Sequence, residues 1–116
     1  MTIILPIPDP RLSPNGSHRH WSAKSKVKKK ARELAKLTVW SALQLSEAPT
    51  FTRYRLRFYH SVARRRDDDN AAASCKSYRD GIAEALGVDD STLRMAEAPI
   101  LAIDKENPRL EITLLP

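Results

Sequence analysis

The clearest strand pattern in the chain is FTRYRLRFYH at residues 51–60. Successive side chains of a β-strand point to opposite faces, so every second residue of this stretch shares a face. One face is apolar and is built on Leu56 and Phe58. The other face carries Arg53, Arg55 and Arg57. The pattern predicts a strand with one buried side and one cationic side.

A long amphipathic helix is predicted before this strand. Residues 21–47 contain neither Gly nor Pro, and Val27 and Ala31 begin a series of apolar residues at helical spacing. Trp40 falls in the same segment and is predicted to be a core residue. Pro49 ends the helix, because proline does not continue one.

A second helix is predicted after the strand. Asp69 or Asn70 would cap its N-terminus, and Gly87 would end it. Cys75 and Tyr78 belong to its apolar stripe. Cys75 is therefore predicted to be a small buried hydrophobe and not a nucleophile.

Shorter strand patterns lie towards the two ends of the chain. Residues 2–7 favour β-structure and stop at proline, which predicts a short edge strand. Residues 91–95 and 100–104 predict two short strands, and the alternation in residues 109–115 predicts a longer one. The expected fold class is α+β, a small mixed sheet in β-α-β-α-β order with two main helices packed on it. Residues 1–116 are expected to form a single domain.

Composition restricts the class of protein and the cellular compartment that we expect. Its 116 residues are 41% apolar and 29% charged, which suits a globular domain with a modest core. A single cysteine excludes an internal disulfide and a thiolate-rich zinc site within the chain. The sequence contains no apolar run near the ~20 residues that cross a bilayer, and it does not begin with a secretory signal pattern. We therefore expect a soluble, cytoplasmic protein.

Charge is divided unevenly along the chain. The formal net charge is +6, yet residues 11–66 hold 15 basic and 2 acidic residues, whereas residues 67–116 hold 5 basic and 11 acidic residues. Basic surfaces attract phosphate backbones, and clustered carboxylates hold divalent cations. The division suggests metal chemistry on a polyanion. The alternative is a solvated basic face beside a solvated acidic one.

Three groups of cations are suited to phosphate. The first is a ridge on the long helix, formed by Lys28, Arg32 and Lys36, which are four residues apart. The second is the arginine face of the strand, and the third is the arginine run that follows the strand. A turn-rich loop before the long helix adds polar residues. The predicted DNA contacts are Asn15, His20, Lys28, Arg32, Lys36, Arg53, Arg55, Arg57, Arg64, Arg65 and Arg66.

Acidic residues are concentrated in RRRDDDN, residues 64–70. Asp67 and Asp69 are two residues apart and can aim at one point. Asp89 or Asp90 would join them if the second helix folds back beside its strand. Mg²⁺ binds through a few carboxylates while keeping water and substrate phosphate, so this set predicts a Mg²⁺ site. An Asp-rich turn that only caps a helix is the plainer interpretation.

Lys76 is predicted to act on the same phosphate as these carboxylates. It shares one face of the second helix with Asp69 and Asp80, one to two turns from the acidic cluster. Its ammonium group would reach the phosphate held there. Alternatively it would only pair with Asp80 at i,i+4 spacing.

These residues resemble the RusA-like crossover junction endodeoxyribonucleases, the Holliday junction resolvases. The likeness spans nearly the whole chain and is most specific over residues 64–90. The residues that carry it are Arg64 to Asn70, Lys76, Asp80, Ala85, Leu86, Asp89 and Asp90, with Leu5-Pro6, Leu12 to Asn15 and His20-Trp21 before them. Lys76 lies about three residues further from Asn70 than the lysine does in the founding type of that family.

The resemblance implies a homodimer that binds four-way junction DNA and makes paired nicks with Mg²⁺ or Mn²⁺. It further implies that Asp67, Asp69 and Asp90 ligate the metal and that Lys76 is the essential lysine, so that these four residues are catalytic. The sequence therefore predicts a Mg²⁺-dependent, structure-selective DNA endonuclease of recombination and repair. The alternative is a non-catalytic, basic nucleic-acid-binding protein whose acidic turn is structural.

Overall fold

A computed structural model describes residues 1–12, 21–43, 50–63 and 68–116. Its strands are β1 (Thr2–Leu5), β2 (Arg53–His60), β3 (Arg94–Met95), β4 (Ile100–Ile103) and β5 (Arg109–Leu115). Its helices are α1 (Trp21–Leu43), α2 (Asp68–Ser74) and α3 (Lys76–Leu86), with single 3₁₀ turns at Pro10–Leu12 and Asp90–Thr92. Among these described helices, none combines the length and the apolar character that a bilayer span requires.

The described strands form one mixed sheet around β2. On one side β2 pairs antiparallel with β5, which pairs antiparallel with β1 at the edge. On the other side β3 and β4 both pair with β2 in parallel, β3 with its start and β4 with its end. The edge position of the first strand and the mixed α+β class are thus confirmed.

The core lies between one face of the sheet and helices α1 and α3. The predicted alternation of β2 is confirmed, since Leu56 and Phe58 are buried while its three arginines are exposed. β5 alternates in the same way around Ile112, and α1 and α3 contribute Val39 and Ile82 to the same cluster. Burying a side chain of this size stabilises the fold by roughly 1.5–3 kcal/mol. The arginine face lies on the opposite side of the sheet, away from this core.

Helices α1 and α3 cross closely at Gly81. A Cβ atom at Gly81 would collide with the backbone carbonyl of Arg32 and would lie 3.2 Å from the Cβ of Ala35. Both Gly81 and Ala35 are buried, so small residues on each helix permit the approach. The crossing brings the polar residues of α3 beside the basic residues of α1.

The prediction of one continuous second helix is wrong. Cys75, with φ −91° and ψ 3°, separates α2 from α3. Its amide donates to the carbonyl of Ala72, three residues back, at 3.1 Å. Such a bond is tighter than the helical i to i−4 bond and interrupts the regular turn. The predicted burial of Cys75 is confirmed, since its side chain belongs to the core.

Helix α1 differs from its prediction at Trp40. This residue was expected in the core but is 46% exposed, whereas the neighbouring Val39 is fully buried. The indole Nε1 of Trp40 donates to the carbonyl of Ala85 at 3.2 Å, and the Lys36 ammonium lies 4.5 Å from its ring centroid. A large ring with a polar edge thus lies at the border of the α1–α3 interface. The predicted continuation of the helix to residue 47 falls outside the described residues.

Candidate functional site

A cleft of about 610 Å³ opens beside the N-terminus of α3. Its walls are α2, α3, the 3₁₀ turn that follows α3, β3 and the start of β2. Its polar lining includes Lys76, Arg79, Asp90 and Arg94, and Tyr54 contributes to its apolar part. The cleft therefore gathers charged groups from segments that are well separated in sequence.

Two of the predicted catalytic residues, Lys76 and Asp90, line this one cleft. Lys76 is the first residue of α3, and Asp90 is the first residue of the 3₁₀ turn beyond it. Gly87 makes the return possible, because its left-handed conformation (φ 70°) ends α3 and redirects the chain. The structure thus brings back to α3 the acidic pair that the sequence placed one helix length downstream.

The two members of that acidic pair have different surroundings. Asp89 caps the 3₁₀ turn, and its Oδ1 accepts a hydrogen bond from the Ser91 amide at 2.9 Å. This backbone hydrogen bond is the main reason that the pKa of Asp89 lies below its ordinary value. Asp90 faces the cleft. Of the two, Asp90 is therefore the residue whose side chain could contact a group bound in the cleft.

Asp69 lies near the start of α2 and is exposed. Ala72 and Ala73, which line the cleft, follow it at i+3 and i+4. Residues at these spacings lie on the same helix face, so Asp69 is one turn beyond the α2 wall of the cleft. Asp69 itself is not a lining residue.

Several predicted site residues fall outside the described part of the chain. They are Asn15, His20, Arg64, Arg65, Arg66 and Asp67. Within the described residues, no three His, Cys, Asp or Glu side chains are close enough together to hold a metal ion. A three-carboxylate site of the predicted kind would therefore require Asp67 in addition to Asp69 and Asp90. Their carboxylate oxygens are the hard donors that Mg²⁺ prefers.

Lys76 is also within ion-pair distance of Asp80. Its Nζ lies 3.6 Å from Asp80 Oδ2, and the Lys76 side chain is 69% exposed. An exposed i,i+4 pair of this kind contributes little to stability. The pairing with Asp80, which was the alternative role predicted for Lys76, is thus present in the structure. This pairing leaves the Lys76 ammonium group accessible from the cleft.

Two arginines of the cleft, Arg79 and Arg94, were not among the predicted site residues. Arg79 lies one turn after Lys76 on α3, and its Nη2 is 3.8 Å from Asp90 Oδ2. Arg94 is the register partner of Arg53 on the adjacent strand. The i+3 spacing from Lys76 was a visible signal for Arg79. The parallel pairing that places Arg94 at the cleft was not visible in the sequence.

The predicted arginine row is present on the uncovered face of the sheet. Arg55 lies 3.7 Å from Glu97, and Arg57 donates a long hydrogen bond of 3.4 Å to the Tyr59 hydroxyl. The contact with Tyr59 is the main cause that raises the pKa of Arg57. Arg53 is the register partner of Arg94, so the row begins beside the strand that contributes Arg94 to the cleft.

The predicted ridge of α1 is partly engaged within the protein. Arg32 and Lys36 both bind the Glu84 carboxylate of α3, at 2.8 Å and 3.0 Å. These hydrogen bonds, the one from Lys36 first, hold the pKa of Glu84 below its ordinary value. Two of the three ridge cations therefore contribute to the contact between α1 and α3, whereas Lys28 has no ion pair within the described residues.

Comparison with known proteins identifies one relative but no family. No protein-family model matches the chain. The chain is 41% identical over 93 residues to an uncharacterized protein of Xylella fastidiosa strain Temecula1. The match covers 77% of this chain and 60% of that protein, so the chain spans about three fifths of the length of this relative. What the chain does is therefore inferred from its own cleft and surfaces.

Proposed function

We propose that this chain is a metal-dependent, structure-selective DNA endonuclease, similar to the RusA-like Holliday junction resolvases. The observation that carries the proposal is the convergence of Lys76 and Asp90 on one cleft. The sequence predicts the same two residues for one phosphodiester site. The α2 wall of the same cleft begins one turn after Asp69, the third described member of that set.

The chain's own groups suit a phosphodiester. Asp67, Asp69 and Asp90 would hold a divalent ion, and Lys76 would bind the phosphate that the ion shares. When bound, Mg²⁺ acts as a Lewis acid toward the phosphate and the attacking water. The Lys76 ammonium, placed at the start of α3, would stabilise negative charge that develops on the phosphate oxygens. Arg79 would keep the Asp90 carboxylate turned towards the cleft.

Arginines at the cleft and on the sheet would bind the DNA backbone. Arg94 lies at the cleft, and Arg53, Arg55 and Arg57 continue the row along β2. Contacts to phosphate fix position without reading bases, so selectivity would come from the shape of the DNA. Arg64, Arg65 and Arg66 would add to the same surface.

We further propose that two copies of the chain act together as a homodimer. A four-way junction is resolved by two symmetrically placed nicks, and one cleft per chain supplies one nick. Two copies related by a two-fold axis would present two equivalent clefts to the two strands. Size-exclusion chromatography with light scattering, with and without junction DNA, measures the number of chains in the complex.

A second candidate function is non-catalytic nucleic-acid binding. It is favoured by the partners that the cleft residues have within the chain, because Lys76 contacts Asp80 and Asp90 contacts Arg79. In that case the acidic residues would be structural, and the basic surfaces would bind phosphate without cleaving it.

The two functions are separated by a nicking assay on a synthetic four-way junction. We expect paired nicks near the branch point with Mg²⁺ or Mn²⁺, none with EDTA, and none on a linear duplex of the same sequence. Asp69→Asn should bind the junction but not nick it. Binding without nicking under every divalent ion, by protein of native fold, would favour the non-catalytic function.

A further inference from the structure

A second groove, of about 470 Å³, runs between α1 and the α2–α3 segment. Its α1 side carries Lys24, Lys28, Lys29 and Arg32, and its α3 side carries Lys76. The one acidic residue among the described residues that line it is Asp80. The groove is therefore strongly cationic.

The cations of α1 follow the length of the groove. Lys24, Lys28 and Arg32 are each four residues apart, which is a rise of about 6 Å per step along one helix face. Lys28 and Lys29 are exposed, and neither belongs to an ion pair within the described residues. Arg32 is already paired with Glu84, but Lys28 and Lys29 place like charges side by side on the groove, and an extended polyanion would relieve their repulsion.

The other lining residues indicate which part of a nucleic acid the groove suits. Ser25, Ser74 and Ser77 place hydroxyl groups among the cations. Within the described part of the lining, no side chain is aromatic, so the groove offers no ring on which a base would stack. Lysines and hydroxyls are typical contacts of phosphate and sugar and carry no sequence information.

The groove and the cleft are neighbours. Lys76 and Ala73 line both, so the two hollows meet at the N-terminal end of α3. A strand that leaves the groove at Lys76 enters the cleft that contains Asp90.

We propose that this groove binds the sugar-phosphate backbone of one DNA strand and leads that strand to the cleft. The proposal that the groove binds DNA depends only on the residues of the groove. The proposal that it leads the strand to the cleft rests on the proposed nuclease function. This path differs from the ridge expected from sequence, because Lys36 is turned to Glu84 while Lys24 and Lys29 join Lys28 in the groove.

Helix α1 also provides a matched control. Lys26 and Lys30 are exposed like Lys28 and Lys29, but they line a different hollow, on the side of α1 that faces Ile7. Changing either pair to Gln removes the same charge from the same helix. A loss of affinity caused by net charge alone would be equal for the two double variants.

The experiment measures fluorescence anisotropy of a labelled single-stranded DNA of mixed sequence in EDTA, over a series of salt concentrations. We expect Lys28→Gln with Lys29→Gln to weaken binding about tenfold near 0.1 M salt. The slope of log affinity against log salt should become shallower by about 1.4, for two lost phosphate contacts on a single strand. Lys26→Gln with Lys30→Gln should change affinity by less than about twofold. Circular dichroism melting checks that both variants are folded.

Equal losses in the two double variants, or no loss in either, would overturn the proposal. So would a loss of binding to phosphatidylserine vesicles in the groove variant with DNA binding unchanged. Because EDTA prevents metal-dependent cleavage, the result does not depend on the nuclease function. A groove-specific loss of DNA binding, with no nicking by the wild type under any divalent ion, would uphold the binding site and reject the nuclease.

Discussion

The guanidinium Nη2 of Arg79 lies 3.8 Å from Oδ2 of Asp90. This contact joins α3 to the 3₁₀ turn that follows it, across the return made at Gly87. Both side chains line the cleft, and both are partly exposed. The pair thus lies within the cleft, where it directs a carboxylate and a cation towards the same space as Lys76.

We predict that Asp90→Asn abolishes nicking while leaving junction binding in place. The substitution would remove the charge of the carboxylate that we propose as a metal ligand, and it keeps the size of the side chain. Because metal assistance supplies several kcal/mol of transition-state stabilisation, the nicking rate should fall about 100-fold or more. Single-turnover nicking of a labelled junction measures the rate, and a mobility-shift assay in EDTA measures binding.

Asp89→Asn is the matched control for this prediction. Asp89 caps its own turn by accepting from Ser91 and does not line the cleft. Its substitution should lower stability slightly and leave the nicking rate within about threefold of wild type. Loss of nicking in Asp89→Asn with full activity in Asp90→Asn would reverse the assignment of the ligand.

We predict that Arg79→Gln weakens the response to metal more than it weakens DNA binding. In the proposed site, Arg79 would act through Asp90 as a positioning residue, and loss of such support typically costs 10- to 100-fold in metal affinity. The Mg²⁺ concentration that gives half-maximal nicking should therefore rise by about tenfold or more. Junction binding in EDTA should stay near the wild-type value.

Arg79→Lys tests whether charge at this position is sufficient. A lysine restores the cation but not the guanidinium fork, so partial recovery of the Mg²⁺ response is expected. If Arg79→Gln instead lowers junction affinity at an unchanged Mg²⁺ response, Arg79 contacts the DNA directly and the positioning role is wrong.

The parts of the fold that could be predicted are those governed by local alternation. In β2, Leu56 and Phe58 are buried and Arg55 is exposed because a strand with one covered face must alternate. The break at Cys75 was not predictable in this way, since the apolar stripe continues through it at helical spacing. Trp40 was misplaced for a related reason. Helical periodicity predicts that a residue lies near the helix interface. Whether its side chain is buried or exposed there depends on how α1 packs against α3.

The candidate site was predictable in part because its residue types are unusual. Lys76 and Asp90 were selected from sequence, and the structure brings them to one cleft. Arg94 reaches the cleft only through its parallel pairing with Arg53. The engagement of Lys36 with Glu84 likewise depends on how α3 crosses α1. Contacts between distant segments of this kind are not recorded in the spacing of either segment.

We predict that Gly81→Ala destabilises the protein, although alanine is the better helix former by about 1 kcal/mol. The added methyl group would meet the Arg32 carbonyl, and a backbone atom cannot move aside as a side chain can. Overpacking of this kind typically costs about 1–3 kcal/mol, so we expect a net loss in the free energy of unfolding. Urea denaturation measures it.

Gly87→Ala is the comparison for Gly81→Ala. A Cβ at Gly87 meets nothing within 4 Å, but its φ of 70° is strained for alanine. The cost there should be about 1 kcal/mol from the backbone alone. A variant Gly81→Ala that is as stable as wild type would show that α1 and α3 do not approach as closely as described.

We predict that the Glu84 contacts stabilise the protein at neutral pH and are lost in acid. The pKa of Glu84 in the folded protein lies below its ordinary value of 4.5, mainly through the hydrogen bond from Lys36 and then that from Arg32. The stabilisation is therefore complete above about pH 4.5 and declines as the pH falls through the lower folded value. Glu84→Gln should lower the urea midpoint at pH 7 and reduce its dependence on pH below 4.5.

Glu106→Gln removes the same charge from an exposed turn and serves as its control. It should leave the pH dependence of the midpoint as in wild type. High salt should reduce the difference between Glu84→Gln and wild type, because exposed ion pairs are screened. Identical pH profiles for Glu84→Gln and wild type would contradict the assigned contacts.

Finally, we predict that Cys75 is unreactive in the folded protein. Burial in the core raises the pKa of its thiol to about 12, because the thiolate loses hydration there. Since the thiolate is the reactive form, only about one molecule in 10⁴ would carry it at pH 8. Labelling with a thiol-specific disulfide reagent should be at least about 1000-fold slower in native protein than in denaturant, where the thiol has its ordinary pKa near 8.5. Rapid labelling of native protein at pH 8 would mean that the Cys75 side chain is open to solvent and does not belong to the core.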